Sequence, residues 1–205
     1  IRGTDTLLHV IAVESAPTTI VGDIDGNSLN YFRKSGTGAL GTWDGPMTLD
    51  TMNRSSGSQA VSNGSIAASR VSGKVLVAYT HHHAMAIPQD QRYDVEVFYA
   101  INNDYGDPED WLTHGVTAED PTARPELNMT NYSRIEPSAM AFINTHALID
   151  SEDGLHIIWT AGLTIANMYD DPTFFIGDFS SSLYHWTDRV AGPNAGGTIT
   201  KAHNA

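Results

Sequence analysis

Cysteine is absent from all 205 residues. Its absence removes disulfides, thiolate metal sites and cysteine nucleophiles, and leaves the compartment open. Basic residues are scarce: 11 Lys and Arg stand against 24 Asp and Glu, a formal charge of -13. A chain so acidic is repelled by phosphate backbones and anionic lipid, so no nucleic acid is expected as a partner. No apolar run approaches the roughly 18 residues of a membrane helix, so no membrane span is expected. The first residues carry neither the basic start nor the apolar stretch of a signal peptide, and no initiator Met. The expectation is a processed, exported protein: secreted, periplasmic or at the cell surface. Helical periodicity is missing as well, since no stretch sustains an i, i+3, i+4, i+7 apolar pattern for three turns. A Walker-type phosphate loop and the Gly-x-Ser-x-Gly elbow do not occur.

What is present is one strand pair, three times over. The first member reads Leu8-His9-Val10-Ile11-Ala12-Val13, then Val75 to Thr80, then Leu155 to Thr160. The second reads Ser28 to Phe32, Glu96 to Ala100 and Ser182 to Trp186. Copies one and two lie about 68 residues apart, a spacing that Trp43 and Trp111 also keep. Gly, Pro, Asn, Asp and Ser break the chain every ten residues or so, as in an all-β fold. Turn chemistry falls at Ser72-Gly73-Lys74 and at Ser151-Glu152-Asp153-Gly154.

An all-strand repeat of this size reads as the blade of a β-propeller, four antiparallel strands each, with a β-sandwich as the alternative. The blade-like units are about 1–56, 57–125 and 126–205, together one propeller-type domain. In the second unit the strands are expected at Ser65–Ser69, Lys74–Thr80, Val95–Asn102 and Trp111–Val116. In the third the innermost strand is expected at about Ser138–Ile143, and the outermost near Gly197–Lys201. The first unit has no innermost strand. Propellers close with roughly four to eight blades, so about three make a partial propeller. Other protein chains or further blades are expected to complete the ring. Trp43 and Trp111, with Tyr31, Tyr99 and Tyr184, are expected in the core. His9 and His156, at equivalent repeat positions, are expected to pack rather than ligate.

After the third strand, two segments resemble the Asp-box, Ser-x-Asp-x-Gly-x-x-Thr-Trp. Ser35-Gly36-Thr37-Gly38-Ala39-Leu40-Gly41-Thr42-Trp43 keeps the Ser, the Thr-Trp end and the length. Asn102-Asn103-Asp104-Tyr105-Gly106-Asp107-Pro108-Glu109-Asp110-Trp111 keeps Asp, Gly and Trp with one inserted residue. With the Leu-His-Val-Ile and Leu-His-Ile-Ile strands, the chain resembles the sialidase-like, Asp-box (BNR) repeat superfamily. The resemblance implies a propeller that recognises or processes extracellular carbohydrate, binding ahead of catalysis. The rival is a structural subunit docking through exposed blade edges. Sialidases of this superfamily clamp a carboxylate with arginines, whose planar fork bonds both oxygens. The nearest match to their Phe/Tyr-Arg-Ile-Pro motif is Tyr132-Ser133-Arg134-Ile135-Glu136-Pro137, which has two inserted residues and precedes the third unit. It makes Tyr132, Arg134 and Glu136 catalytic candidates by resemblance.

The longest loops join the second and third strands of each unit, on one rim, where function usually lives. One holds His81-His82-His83, of which at most two can face one metal from an extended segment. Histidine also suits general-base work near neutral pH. Lyases of uronic-acid polysaccharides pair such a base with a tyrosine acid, here His82 or His83 with Tyr93 or Tyr132. His81 and His83 are also metal candidates. Asp23, Asp25 and Asn27 offer alternating oxygens for a hard cation, so calcium is the cofactor to test. A plain Asp-Gly turn is the alternative. Arg92, Tyr93, Tyr169, Phe174 and Phe175 are the candidate ligand-binding residues, able to meet a sugar's polar groups and stack on its C–H face.

Overall fold

A computed structural model describes residues 6–13, 28–36, 41–51, 62–82, 95–113, 129–130, 139–163, 181–189 and 198–204. These hold eleven strands and no α-helix. Sheet 1 joins β1 (Leu7–Val13), β2 (Ser28–Ser35) and β3 (Thr42–Thr51). Sheet 2 joins β4 (Ser62–Ala68), β5 (Val75–His82), β6 (Val95–Asn102) and β7 (Trp111–Leu112). Sheet 3 joins β8 (Ala139–Ile149), β9 (Leu155–Leu163), β10 (Ser181–Thr187) and β11 (Thr198–Asn204). Every pairing is antiparallel and follows chain order. Strands are found where they were expected, but β7 is only Trp111–Leu112 where Trp111–Val116 was expected, and Thr113 is not in a strand. β8 runs on to Ile149, well past the expected end.

The three sheets pack face to face in a row, with sheet 2 in the middle. β5 shows why its run Val75–Tyr79 is apolar without alternation: both of its faces are covered. Val75, Val77 and Tyr79, with Phe98, Ala100 and Trp111, meet Leu29, Tyr31 and Leu49 of sheet 1. On the opposite face Leu76, Ala78 and Val97 meet Leu155, Ile157, Trp159, Ala161 and Trp186 of sheet 3. Each fully buried aliphatic or aromatic side chain contributes about 1.5–3 kcal/mol.

Register makes the three sheets comparable position by position. The row Leu8, Lys34, Trp43 in sheet 1 corresponds to Val75, Asn102, Trp111 in sheet 2. Ile11 opposite Tyr31 corresponds to Ala78 opposite Tyr99 and to Ile158 opposite His185. We call the face bearing Val75 and Trp111 the A face and the face bearing Tyr99 the B face. The B face of sheet 1 packs on the A face of sheet 2, and the B face of sheet 2 on the A face of sheet 3. The stacking is head to tail.

One expectation about the core and one about the repeat are corrected. Trp111 is buried, but Trp43 is 51% exposed, because the A face of sheet 1 has no sheet against it among the described residues. Lys34 lies over the Trp43 ring at 5.6 Å. Tyr184 is not the partner of Tyr31 and Tyr99 in the repeat. The register gives that position to His185, one residue on, and a one-residue slip in a strand changes the face. Tyr184 instead stacks on Trp159 at 5.6 Å, on the A face.

The hairpin turns follow from their polar side chains. In the β4–β5 turn Ser69 Oγ accepts the amides of Val71 and Ser72, and Ser72 Oγ accepts that of Lys74. In the β8–β9 turn Asp150 Oδ1 accepts the amides of Glu152 and Gly154. The two turns lock to each other. Asp153, at φ 71°, receives Ser69 and Ser72 hydroxyls at 2.5 and 2.9 Å, and the Lys74 ammonium lies 3.3 Å from its second oxygen. Burial alone would raise the Asp153 pKa, but these three donors outweigh it and hold the carboxyl below its usual range.

Candidate functional site

The β6–β7 connection carries the Asp-box-like segment, and Asn102 organises it. Asn102 Oδ1 accepts the amides of Asp104 and Gly106 at 2.9 and 2.7 Å, while its amide donates to Asp107 O at 2.7 Å. Gly106 sits at φ 74° against sheet 1. A Cβ there would meet the Tyr31 hydroxyl head-on and come within 3.1 Å of His9 Nδ1. Only glycine fits on both counts. Arg33 clamps the loop from sheet 1. It donates to Asp44 through Nε and Nη2 at 3.0 and 2.9 Å, and to Tyr105 O at 3.3 Å. Asp107 lies 3.9 Å away. Trp111 closes the contact edge-on to Tyr31 at 4.6 Å.

Beside this contact a cavity of about 410 Å³ opens, lined by Leu7, His9, Arg70, Ser72, Lys74 and Tyr105 among others. His9 Nδ1 and Tyr31 Oη are 2.6 Å apart. Burial, then the Arg33 charge, pushes the His9 pKa down to about 4. Burial pushes the Tyr31 phenol well above its ordinary range. At neutral pH this pair is therefore one neutral imidazole and one protonated phenol. A base with a pKa of about 4 has little driving force to take a proton at pH 7, so the geometry suits holding rather than proton transfer. Deeper in the same sheet contact, Tyr79 is fully buried beside Asp50; burial first, and the Asp50 charge second, raise its phenol pKa.

A second polar cluster lies on the B face of sheet 3. Asp150 accepts from Arg189 Nε at 2.9 Å and lies 2.9 Å from His156 Nε2, whose Nδ1 is 2.9 Å from His185 Nε2. The two imidazoles stack at 5.1 Å, 9° from parallel. Hydrogen bonds from Arg189 first and His156 second hold the Asp150 carboxyl far below its usual range. Burial and then His156 lower the His185 pKa. His9 and His156 thus occupy one repeat position and do the same work, tying the second strand of a sheet to its third.

Of the sequence-derived site residues, only His81 and His82 fall in described backbone. They are consecutive β5 positions opposite Glu96 and Val95, at the far end of the strand from the cavity. His83, Arg92, Tyr93, Tyr132, Arg134, Glu136, Tyr169, Phe174 and Phe175 lie outside the described residues, as do Asp23, Asp25 and Asn27. Among the described residues no three His, Cys, Asp or Glu side chains gather to hold a metal. Nor is any helix there long and apolar enough to cross a membrane. Arg33, Asn102 and Arg189 escaped the sequence reading. Asn102 occupies the Ser position of the degenerate box, and its amide carries the turn.

No family model matches the chain, and no curated protein does. Among solved structures it is similar to one titled as the crystal structure of polysaccharide lyase Uly1, with 12% sequence identity and a TM-score of 0.51. The match covers 96% of this chain and 38% of that one. At that identity the likeness is one of fold: this all-β stack of three antiparallel sheets is similar to little more than a third of a longer protein.

Proposed function

We propose that this chain is part of a sialidase-like, propeller-type protein of extracellular carbohydrate recognition, with binding ahead of catalysis. The observation that carries the reading is the head-to-tail stack of similar sheets, on a fold shared with a polysaccharide-acting protein. The sheets are the blades of this reading. The Asn102–Trp111 connection serves as its Asp-box, with Asn102 holding the turn. Binding comes first because the one histidine–tyrosine pair at the described cavity has pKa values driven apart by burial. The glycan site then belongs to the rim of long loops that holds Arg92, Tyr93, Tyr169, Phe174 and Phe175. Calcium is held by Asp23, Asp25 and Asn27.

The test is affinity electrophoresis and calorimetry of the chain against a panel of neutral and uronic-acid polysaccharides, with and without a calcium chelator. Retardation by at least one glycan, weakened by the chelator, is the expected result. Sialoside cleavage and the rise in ultraviolet absorbance of an unsaturated uronate are measured in parallel. No retardation by any member of the panel overturns the carbohydrate reading. Retardation with turnover moves the reading from binding to catalysis.

A further inference from the structure

The cavity of about 410 Å³ between sheets 1 and 2 is opposite in sign to the chain around it. Acids outnumber bases 24 to 11 in the sequence. Yet no Asp or Glu is among the described residues that line the cavity, and two of them, Arg70 and Lys74, are basic. Its volume falls within the range of small-ligand sites. The cations nearby differ in what remains of them. Lys74 lies 3.3 Å from Asp153 Oδ2 and donates to Asp153 O at 3.1 Å. Arg33 is committed to Asp44 and to Tyr105 O. Arg70 has no hydrogen bond or ion pair among the described residues. The turn that carries it is nevertheless pinned, because Ser69 and Ser72 on either side both donate to Asp153. Arg70 is thus an uncommitted charge on an ordered backbone, which lowers the cost of holding a ligand. His9 lines the same cavity. Its Nδ1 is taken by Tyr31 Oη, and its other ring nitrogen has no partner among the described residues.

The geometry points to a binding site for a small organic carboxylate in this cavity, held by the Arg70 guanidinium. One uncommitted guanidinium supplies one positive charge and two parallel N–H donors, the match of a monovalent carboxylate. A tetrahedral dianion calls on further donors, and the neighbouring ones, Lys74, Ser69 and Ser72, already serve Asp153. A neutral imidazole that accepts at Nδ1 carries its proton on Nε2, so His9 adds a donor for a hydroxyl of the same ligand. Leu7 of sheet 1 and Val75 of sheet 2 supply apolar wall for its carbon skeleton. The class is therefore a hydroxylated carboxylate about the size of a single hexuronate. The cavity lies at the starts of β1 and β5, whereas the long loops follow the ends of those strands. The site is thus separate from the rim, and the inference does not rest on the carbohydrate reading of that rim.

The experiment is saturation-transfer NMR and calorimetry of the whole 205-residue chain with sodium glucuronate, with glucose and sodium sulfate as controls. Glucuronate should bind with a Kd of about 1 mM or tighter, and glucose and sulfate at least about 10-fold more weakly. Arg70→Gln should weaken glucuronate by at least about 10-fold, the effect of losing a charge-assisted pair. The urea midpoint should be unchanged in that variant, because Arg70 has no described partner to lose. Arg70→Lys should restore little, since an ammonium keeps the charge and loses the fork. Competition by a polyglucuronate separates the sources: a polymer that displaces the monosaccharide extends the site to a residue of a chain, and one that does not confines it to the free acid. Either result upholds the site. A chain that does not bind glucuronate overturns the inference. So does binding indifferent to Arg70→Gln, which would put the carboxylate elsewhere on the molecule, or sulfate binding as tightly as glucuronate, which would mean an unselective attraction of anions.

Discussion

Substituting Gly106 with alanine should be among the more damaging single-methyl additions in this chain. The residue lies at φ 74°, where an L side chain costs about 1–2 kcal/mol. Its new Cβ would press on the Tyr31 hydroxyl and lie 2.9 Å from the ring carbon that bears it. Tyr31 is 1% exposed, fixed by Trp111 on one side and His9 on the other, so it has nowhere to move. Overpacking of this kind costs about 1–3 kcal/mol. The sum is about 2–5 kcal/mol, a large part of the ~5–15 kcal/mol that holds a domain together. Urea unfolding followed by tryptophan fluorescence measures it as a lower midpoint. A loss under about 1 kcal/mol would refute the argument. The double substitution with Tyr31→Phe is the sharper check. Removing the hydroxyl opens the space the methyl needs, so the two effects should couple by at least about 1 kcal/mol. Strict additivity would mean that the loop has shifted away and that the close approach is not the reason for glycine.

Three further outcomes are expected. Stability should fall as pH drops from about 6.5 towards 4: the folded His9 pKa of about 4 lies below the usual 6.5, so the unfolded chain binds more protons in that window. Solvent screening of the half-buried ring reduces the effect to about 1–2 kcal/mol, read as the pH dependence of the urea midpoint, and His9→Phe should flatten it. Asp153→Ala should cost about 2–4 kcal/mol by stripping the acceptor from Ser69, Ser72 and Lys74, with Asp153→Gly about 1 kcal/mol milder because φ is 71°; thermal denaturation of both reports the difference. Trp111→Ala should cost about 3–5 kcal/mol in the dilute chain and Trp43→Ala under about 1, and equal losses would contradict their different burial.

The sheets themselves were legible in the sequence. The second and third strands of each unit, the order of pairing and the turns at Ser72–Lys74 and Ser151–Gly154 all carry local chemistry that a reader can find. What escaped was decided by neighbours far along the chain. Trp43 and Trp111 share a spacing, yet their burial differs because only one A face has a sheet against it. Tyr184 is the tyrosine of the third copy, but the pairing of β9 with β10 gives the Tyr31 position to His185. Asn102 looks like a weakened box serine until its three hydrogen bonds are seen. Most candidate site residues fall in the long loops outside the described residues, and their reading rests on resemblance and residue type.

The double coverage of β5 has a consequence for how the molecule comes apart. A row of like units linked only to adjacent units behaves as a linear array, each unit stabilised by its own pairing and by the contacts it shares. Among the described residues sheet 2 shares two contacts and each outer sheet shares one. Opening should therefore begin at the two ends and converge on the centre. Amides of β5 and β6 would exchange last, near the global limit, while those of β1 and β10 exchange through smaller openings. The same gradient makes each outer sheet the place where a new neighbour would add most.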